Sequence, residues 1–516
     1  MSSKPSFLNQ FQRIVGESEG RPLKVLMVGA EVSPYANVGG FSRVTSYLSR
    51  ALCQLGHDVR LFMPKFGLID EEKYPMEVVL EGLKVPTGQG KEPTYLICNV
   101  KRNQLPGAAP VYFLENMEYY EKRANVYGYS DDPLRWALLS RGALEFLKLS
   151  SWTPDIIHAH DWHTGAVANY LRKARNRNNK LSSVATVFTI HNLQFQGIFD
   201  HRNIPELDLD DGRAQIASLF SERLKKQNFM RRAILYSDVV NTVSETYSRE
   251  ILTPEYGEGL DRLLLEVRSK LSGIVNGLDH EEFDPATDKL VPVNFDVRSL
   301  DRRVENKIAL QKEFSLPQNP EIPIFAYVGR LDSQKGLDLV GEVLPPFLKD
   351  FDAQFVEVGG GDGKYIEILK KLKEKFPRQV GIHPMSNFTL PRLVFAGSDV
   401  LLLPSKFEPC GIVQLEAMRY GAIPIVRATG GLADTVEDFD PQTGRGTGFV
   451  FKNFDRWAFF AQVVRAFETY RHKKTWRKLQ QNAMQKDFSW ENSAREYIKL
   501  YEKAIHFRTR DLAIGK

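Results

Sequence analysis

SKFEPCGIVQLEAMRYGAIPIVRATGGLADTVED, residues 405–438, decides the fold. It sets two acids eight apart, Glu408 and Glu416, ahead of an apolar run at residues 423–426 and a Gly430-Gly431 pair that opens a second helix. A short continuous apolar run between two helical patterns reads as a strand covered on both faces, the mark of a parallel α/β sheet. The first helix is expected to begin just after Pro409, with Glu416 two turns along it and Glu408 in the loop at its mouth. Backbone N–H groups of Cys410 and Gly411 lie between the two acids, and Thr429-Gly430-Gly431 adds a second helix N-terminus suited to an anion. A capping acid or a surface helix acid accounts for either Glu alone. It accounts poorly for the pair beside such a turn.

Further strands at residues 324–328, 353–358, 380–382 and 399–403 precede this stretch, separated by helical patterns, so a doubly wound sheet is expected. The first of them runs into Gly329-Arg330-Leu-Asp-Ser-Gln-Lys335-Gly336. Two cations at a helix start oppose the helix dipole, which a bound phosphate would offset; a solvated basic loop is the bland alternative. Gly359-Gly360-Gly361-Asp362 ends the next strand in a turn suited to a base or ribose. Residues 455–481 and 490–505 read as closing helices.

Upstream, residues 24–30 form an apolar run, followed by a turn through Gly39-Gly40, a helical pattern at 41–55 and a strand at 58–63, a βαβ unit. The paired glycines let backbone approach a ligand, although a tight turn explains them equally well. Strands at 155–160 and 184–190 end in the polar clusters His158–His163 and His191-Asn192. Ligands of open α/β sheets sit off such strand ends, and four histidines there favour a sugar or phosphate site. Zinc at His158, His160 and His163 is disfavoured, because no set of three ligands with an open position emerges. Asp131 is placed to cap a helix whose early turn holds Pro133. The irregular, Pro-bearing residues 281–292 are the candidate linker.

A chain of 516 residues is too long for one core, so two domains are expected. A net charge of +5 without clustered basic stripes argues against nucleic-acid binding, and the runs Arg172–Arg177, Lys225-Lys226 and Arg231-Arg232 read as solvated faces. Three cysteines, Cys53, Cys98 and Cys410, form no disulfide or metal spacing. The first 23 residues lack a signal-peptide apolar core, and no run suits a membrane span, so a cytoplasmic protein is expected.

With these pieces assembled, the chain resembles the bacterial glycogen synthase and plant starch synthase family of retaining glucosyltransferases. The motifs run in family order over about residues 24–501: the Gly39-Gly40 turn, HAHDWHTG at 158–165, TIHNLQFQG at 189–197, TPEYGEGLD at 253–261, NGLD from Asn276, GRLDSQKGLDL at 329–339, then KFEPCG and TGGLADTV. The resemblance implies the GT-B architecture: two Rossmann-like domains facing across a cleft, an acceptor domain over 1–285, a nucleotide-sugar domain over 286–490, and a last helix, 491–516, returning to the first. It implies α-glucosyl transfer from ADP-glucose or UDP-glucose, ADP-glucose favoured, to the 4-hydroxyl at the non-reducing end of an α-1,4-glucan, with no cofactor or essential metal. It places Glu408, Arg330, Lys335 and His163 in the catalytic set, with Glu408 on the donor sugar and His163 on its acceptor-domain side. Asn37, Gly39, Gly40, Asp131, Asn192, Asn276, Cys410, Gly411, Glu416, Thr429, Gly430 and Gly431 would bind substrate, Glu416 at the donor ribose.

The chain also departs from the family pattern. Asn37 stands where the Lys-x-Gly-Gly turn has its lysine, Arg43 where an aspartate is usual, and Val413 where EPCGLTQ has threonine. Arg43 is positioned on the same helix to replace the missing charge. Two further readings follow: a weakly catalytic glucan-binding or regulatory relative, and a GT-B transferase with another acceptor. A plain NAD-binding enzyme ranks last, because no GxGxxG follows the first strand.

Overall fold

A computed structural model describes residues 20–88, 93–175, 179–199, 212, 216 and 218–514. Asn176 and Arg177 of the first basic run, and all but the last four of the 23 N-terminal residues, lie outside the described residues. The chain divides into two compact units, one of Met1–Val243, Glu250–Ile274 and Trp490–Lys516, the other of Ser244–Arg249 and Val275–Ser489.

The first unit is built on nine strands: β1 (Lys24–Val28), β2 (Asp58–Pro64), β3 (Glu77–Pro86), β4 (Tyr95–Asn103), β5 (Val111–Glu115), β6 (Ile156–His160), β7 (Ala185–Ile190), β8 (Val239–Thr242) and β9 (Leu271–Gly273). Their order is β3-β4-β5-β2-β1-β6-β7-β8-β9. Apart from the antiparallel pairs β3–β4 and β4–β5, every pairing is parallel. β6 and β7 are buried at every position, as a sheet covered on both faces requires. The helix Phe41–Gln54 buries Phe41, Val44, Leu48, Ala51 and Leu52, a stripe at helical spacing. The helix Trp490–Ile514 packs on β6, β7 and β8 of this same unit. Its Tyr501 hydroxyl meets His158 Nδ1 at 3.0 Å, and its Tyr497 hydroxyl accepts from Asn241 Nδ2 at 3.1 Å.

The second unit holds β10 (Ile324–Val328), β11 (Gln354–Val358), β12 (Val380–His383), β13 (Val400–Leu403), β14 (Ile423–Arg427) and β15 (Phe449–Phe451). The order β12-β11-β10-β13-β14-β15, all parallel, is the 3-2-1-4-5-6 order of the doubly wound Rossmann sheet. Strand order reverses between β10 and β13. In sheets of this kind ligands bind at that switch point, off the strands' carboxyl ends. The reversal in the first unit falls between β1 and β6.

Four local expectations are corrected. The helix after Pro409 begins only at Val413, which puts Glu416 in its first turn; Gly411, at φ 73°, and a Gln414 side chain bonded to Cys410 O and Gly411 O hold the chain out of helix until then. Residues 281–292 are irregular but not a free linker: Phe283 and Val291 join the second unit's core, and Arg392 stacks over Phe283 at 3.6 Å while pairing with Asp288. Arg232 is fully buried, because the helix Phe229–Tyr236 packs on Val167–Arg175 along the face that carries it. Asp131 holds the N-cap position of the helix Asp132–Leu149 without bonding its N–H groups; its carboxylate pairs with Arg123 at 2.5 Å instead.

Candidate active site

In the second unit, two strand-end turns meet at the switch point. The turn after β10 carries Arg330 and Lys335, and the turn after β13 carries Ser405 to Gly411. Lys335 Nζ reaches Glu408 Oε2 at 2.5 Å, and Ser405 Oγ donates to the same oxygen at 3.3 Å. Gln334 ties the turns together, accepting from Lys406 N at 2.8 Å through its backbone and donating to Phe407 O at 3.2 Å through its side chain. Glu408 is 7% exposed, so its charge lies in a weakly screened setting where the lysine matters. Arg330 differs: its side chain is 60% exposed, braced by Asp332 at 3.3 Å and Gln334 at 3.3 Å. Both cations sit at the start of the helix Leu337–Asp350, in the turn and short 3-10 segment that lead into it.

Gly430 and Gly431 stand against this turn for steric reasons. A Cβ on Gly430 would lie 1.8 Å from Glu408 O, and one on Gly431 2.1 Å from Cys410 O. Gly430 also holds φ 45°, a left-handed value that glycine adopts freely. Gly431 N donates to Glu408 O at 3.1 Å, and Thr429, fully buried, starts the short helix Gly430–Thr435. The Asn276 backbone N–H points to the Cys410 thiol, which burial pushes up to about 12, an inert sulfur. Asn276 itself is 4% exposed with an unbonded Oδ1. Glu416 is buried in the helix Val413–Arg419. Of the sites expected from sequence, the second unit therefore gathers Asn276, Arg330, Lys335, Glu408, Cys410, Gly411, Glu416, Thr429, Gly430 and Gly431.

In the first unit, the polar groups surround the β1/β6 reversal. His163 is buried and packed against Tyr127 at 4.9 Å, Trp136 at 5.0 Å and Trp162 at 3.9 Å between ring centroids. Burial holds it well below the usual imidazole range, so it is neutral, and its Nδ1 has no hydrogen-bond partner. Asp161, at φ 54°, accepts from His191 N at 2.8 Å and so joins the two histidine clusters. Asn192 accepts from Gln194 N at 3.0 Å, and Asn37 Oδ1 accepts from Ser42 Oγ at 2.6 Å.

Sequence reasoning missed Glu31. Its carboxylate, 1% exposed, accepts from Val38 N at 2.6 Å and Gly39 N at 2.8 Å and bonds the Tyr127 hydroxyl. An acid directly after the apolar run 24–30, a few residues ahead of a Gly-Gly turn, was the available signal. The N–H of Gly39 thus already holds an anion from within the chain, while Gly40 heads the helix Phe41–Gln54. Tyr127, which links Glu31 to His163, carried no signal in sequence. Among the described residues, no group of three or more His, Cys, Asp or Glu is arranged to hold a metal ion.

Two Rossmann-like sheets, the second carrying a cation–carboxylate pair at its switch point, define a GT-B glycosyltransferase. The family described as glycosyl transferases group 1 matches residues 310–486, and that described as starch synthase catalytic domain matches residues 24–266. The glycogen synthase of Moorella thermoacetica is 40% identical over 494 residues, 95% of this chain and 98% of that protein. Glycogen synthase 1 of Synechocystis is 41% identical over 485 residues, 94% of this chain and 95% of its own length. The catalytic domain of starch synthase IV from Arabidopsis thaliana, solved with ADP and acarbose, superposes with a TM-score of 0.80 at 31% identity, covering 94% of this chain and 100% of that one. The chain belongs to the glycogen synthase and starch synthase family.

Proposed function

We propose that this protein elongates an α-1,4-glucan, moving an α-glucosyl unit with retention from ADP-glucose, or less readily UDP-glucose, to the 4-hydroxyl at a non-reducing end. The observation that carries the reading is the Lys335–Glu408 pair at the β10/β13 switch point. A nucleoside diphosphate there would meet Lys335 and the exposed Arg330, whose charges stabilise the departing diphosphate. Lys335 would exchange its carboxylate partner for phosphate, and Glu408 would then accept hydrogen bonds from the donor sugar's hydroxyls. Gly430 and Gly431 keep the turn close enough for this geometry, and Glu416 would take the ribose. In the first unit, His163 with Asn192 and Asp131 would receive the glucan and the sugar, with Gly39 and Gly40 shaping the turn. The bound ADP and acarbose of the starch synthase IV domain support a nucleotide and a glucan as the two substrates.

No essential divalent metal is proposed, because Lys335 and Arg330 supply the positive charge at this turn, and the free cysteines Cys53, Cys98 and Cys410 support a cytoplasmic location. In the described residues, no helix is long and apolar enough to cross a membrane. Purified protein with glycogen should release ADP from ADP-glucose in the presence of chelator. No turnover with ADP-glucose or UDP-glucose, under conditions where a bacterial glycogen synthase works, would sink the reading.

Asn37 and Arg43 favour a second reading, a glucan-binding relative with weak catalysis. Asn37 is neutral and held by Ser42, so it supplies no cation to a donor. Maltooligosaccharide binding without turnover of either donor would select it.

A further inference from the structure

β11 ends in an acid that the proposed chemistry does not use. Glu357 is 0% exposed, and neither carboxyl oxygen makes a well-formed hydrogen bond; the His383 backbone N–H is directed at the carboxyl without completing one. A buried acid in that condition is costly to keep charged and calls for a specific reason. Strand register sets it beside Tyr327 of β10 and Ile382 of β12. A Cβ on Gly359 would come 3.3 Å from Glu357 Oε1 and 1.8 Å from Gly329 O. The carboxyl therefore lies beneath the point where the Gly359–Gly361 turn touches the turn that carries Arg330 and Lys335. The two turns are also bonded to each other, Leu331 N to Gly360 O at 3.0 Å and Asp362 N to Leu331 O at 2.8 Å.

We propose that Glu357 is a positioning residue of the nucleotide site: its protonated, uncharged carboxyl is the floor on which the Gly329–Lys335 and Gly359–Gly361 turns rest, and nucleotide binds only in that state. The inference deepens the proposed function, since it rests on nucleotide binding at these turns. Burial raises the Glu357 carboxyl to about 8, the His383 backbone N–H only partly opposing it, so the group is neutral at physiological pH. The titratable groups around it are Tyr327 on β10, held protonated by burial, and His383 on β12. Past the Tyr327 hydroxyl stand Arg330 and Asp332 on the first turn and Glu408 on the turn after β13. Losing the proton would leave a charge in that buried place with no cation against it, since Arg330, beyond the Tyr327 hydroxyl, is braced by Asp332. Drawing water to that charge would part the two turns.

The test is calorimetric titration of the full-length protein with ADP from about pH 6.5 to about pH 9.5, in wild type and Glu357→Gln. If only the protonated form binds, affinity falls on the order of tenfold per pH unit above about 8. Glu357→Gln, uncharged at every pH, should remove that fall and bind at about pH 9.5 as wild type does near neutrality. Equal pH profiles in the two proteins, or a flat wild-type profile, overturn the inference and leave nucleotide binding standing. A wild type that binds no ADP at any pH overturns both. Should Glu357→Gln not fold, Glu357→Leu, also uncharged, serves in its place, and the wild-type profile alone still decides against the inference if flat.

Discussion

Lys335 Nζ and Glu408 Oε2 meet at 2.5 Å, joining the turns that follow β10 and β13 at the point where the second sheet reverses its strand order. Each residue keeps the other's charge compensated while no substrate is bound. Replacing Glu408 by Ala should cost about 10²-fold or more in kcat, and Lys335→Ala a similar factor, with the double variant far from additive. Steady-state kinetics of the three variants check this; strict additivity would show that the pair acts as two unrelated groups.

Gly430→Ala should be among the most damaging single-methyl changes in the chain. The added carbon meets Glu408 O at 1.8 Å, and φ 45° disfavours any side chain. A loss of about 2 kcal/mol or more is expected, with activity lost even where the protein stays folded, because the Glu408 turn is displaced. Urea unfolding alongside turnover measurement separates the two effects.

Acid should weaken the first unit through its histidines. Burial lowers His158 and His191 to about 3 and holds His160 and His163 well below their usual range, while an unfolded histidine titrates near about 6.5. The unfolded chain therefore binds more protons below about 6.5, so the stabilisation is complete above that value and is lost as pH falls toward about 3, at up to about 1.4 kcal/mol per pH unit for each group. Asp161 and Glu357, raised to about 7 and about 8 by burial, act in the opposite sense, since each binds its proton more tightly when folded. Four imidazoles outweigh two carboxyls, and the melting temperature should drop steadily between about pH 6.5 and about pH 4.5. A melting temperature constant over that window would refute it.

Arg43→Ala is expected to raise KM for the donor several-fold if Arg43 substitutes for the family lysine, and Asn37→Lys in that background should restore it. Unaltered donor KM in Arg43→Ala would remove the substitution from consideration.

Much of the second sheet was legible before its structure. Five of its strands announce themselves as apolar runs that any parallel sheet must bury, and Glu408 and Lys335 stand out as charges beside glycines. β15 did not: Phe449–Phe451 is three residues long, too short for periodicity to register. The β3–β4 hairpin was missed because its burial hardly alternates; most of β3 is exposed at the sheet edge. The helix start at Val413 depends on Gly411 and Gln414, and Asp131's choice of Arg123 over the helix end depends on a partner that no local pattern reveals. Glu31, whose one signal was its place after the first apolar run, and Glu357 were missed for a related reason. What singles them out is burial and the N–H groups or turns around them, and neither has a spacing.

The helix Trp490–Ile514 gives the molecule an order of assembly. Tyr497 and Tyr501 supply partners to Asn241 and His158 from a segment synthesised after all of Val275–Ser489. Until then His158 on β6 and Asn241 on β8 lack those partners, whereas Val275–Ser489 precedes the helix and closes its own core. The first unit is thus the later of the two to mature, and a chain cut short before Trp490 would carry every strand of the second sheet beside a first one lacking its cover.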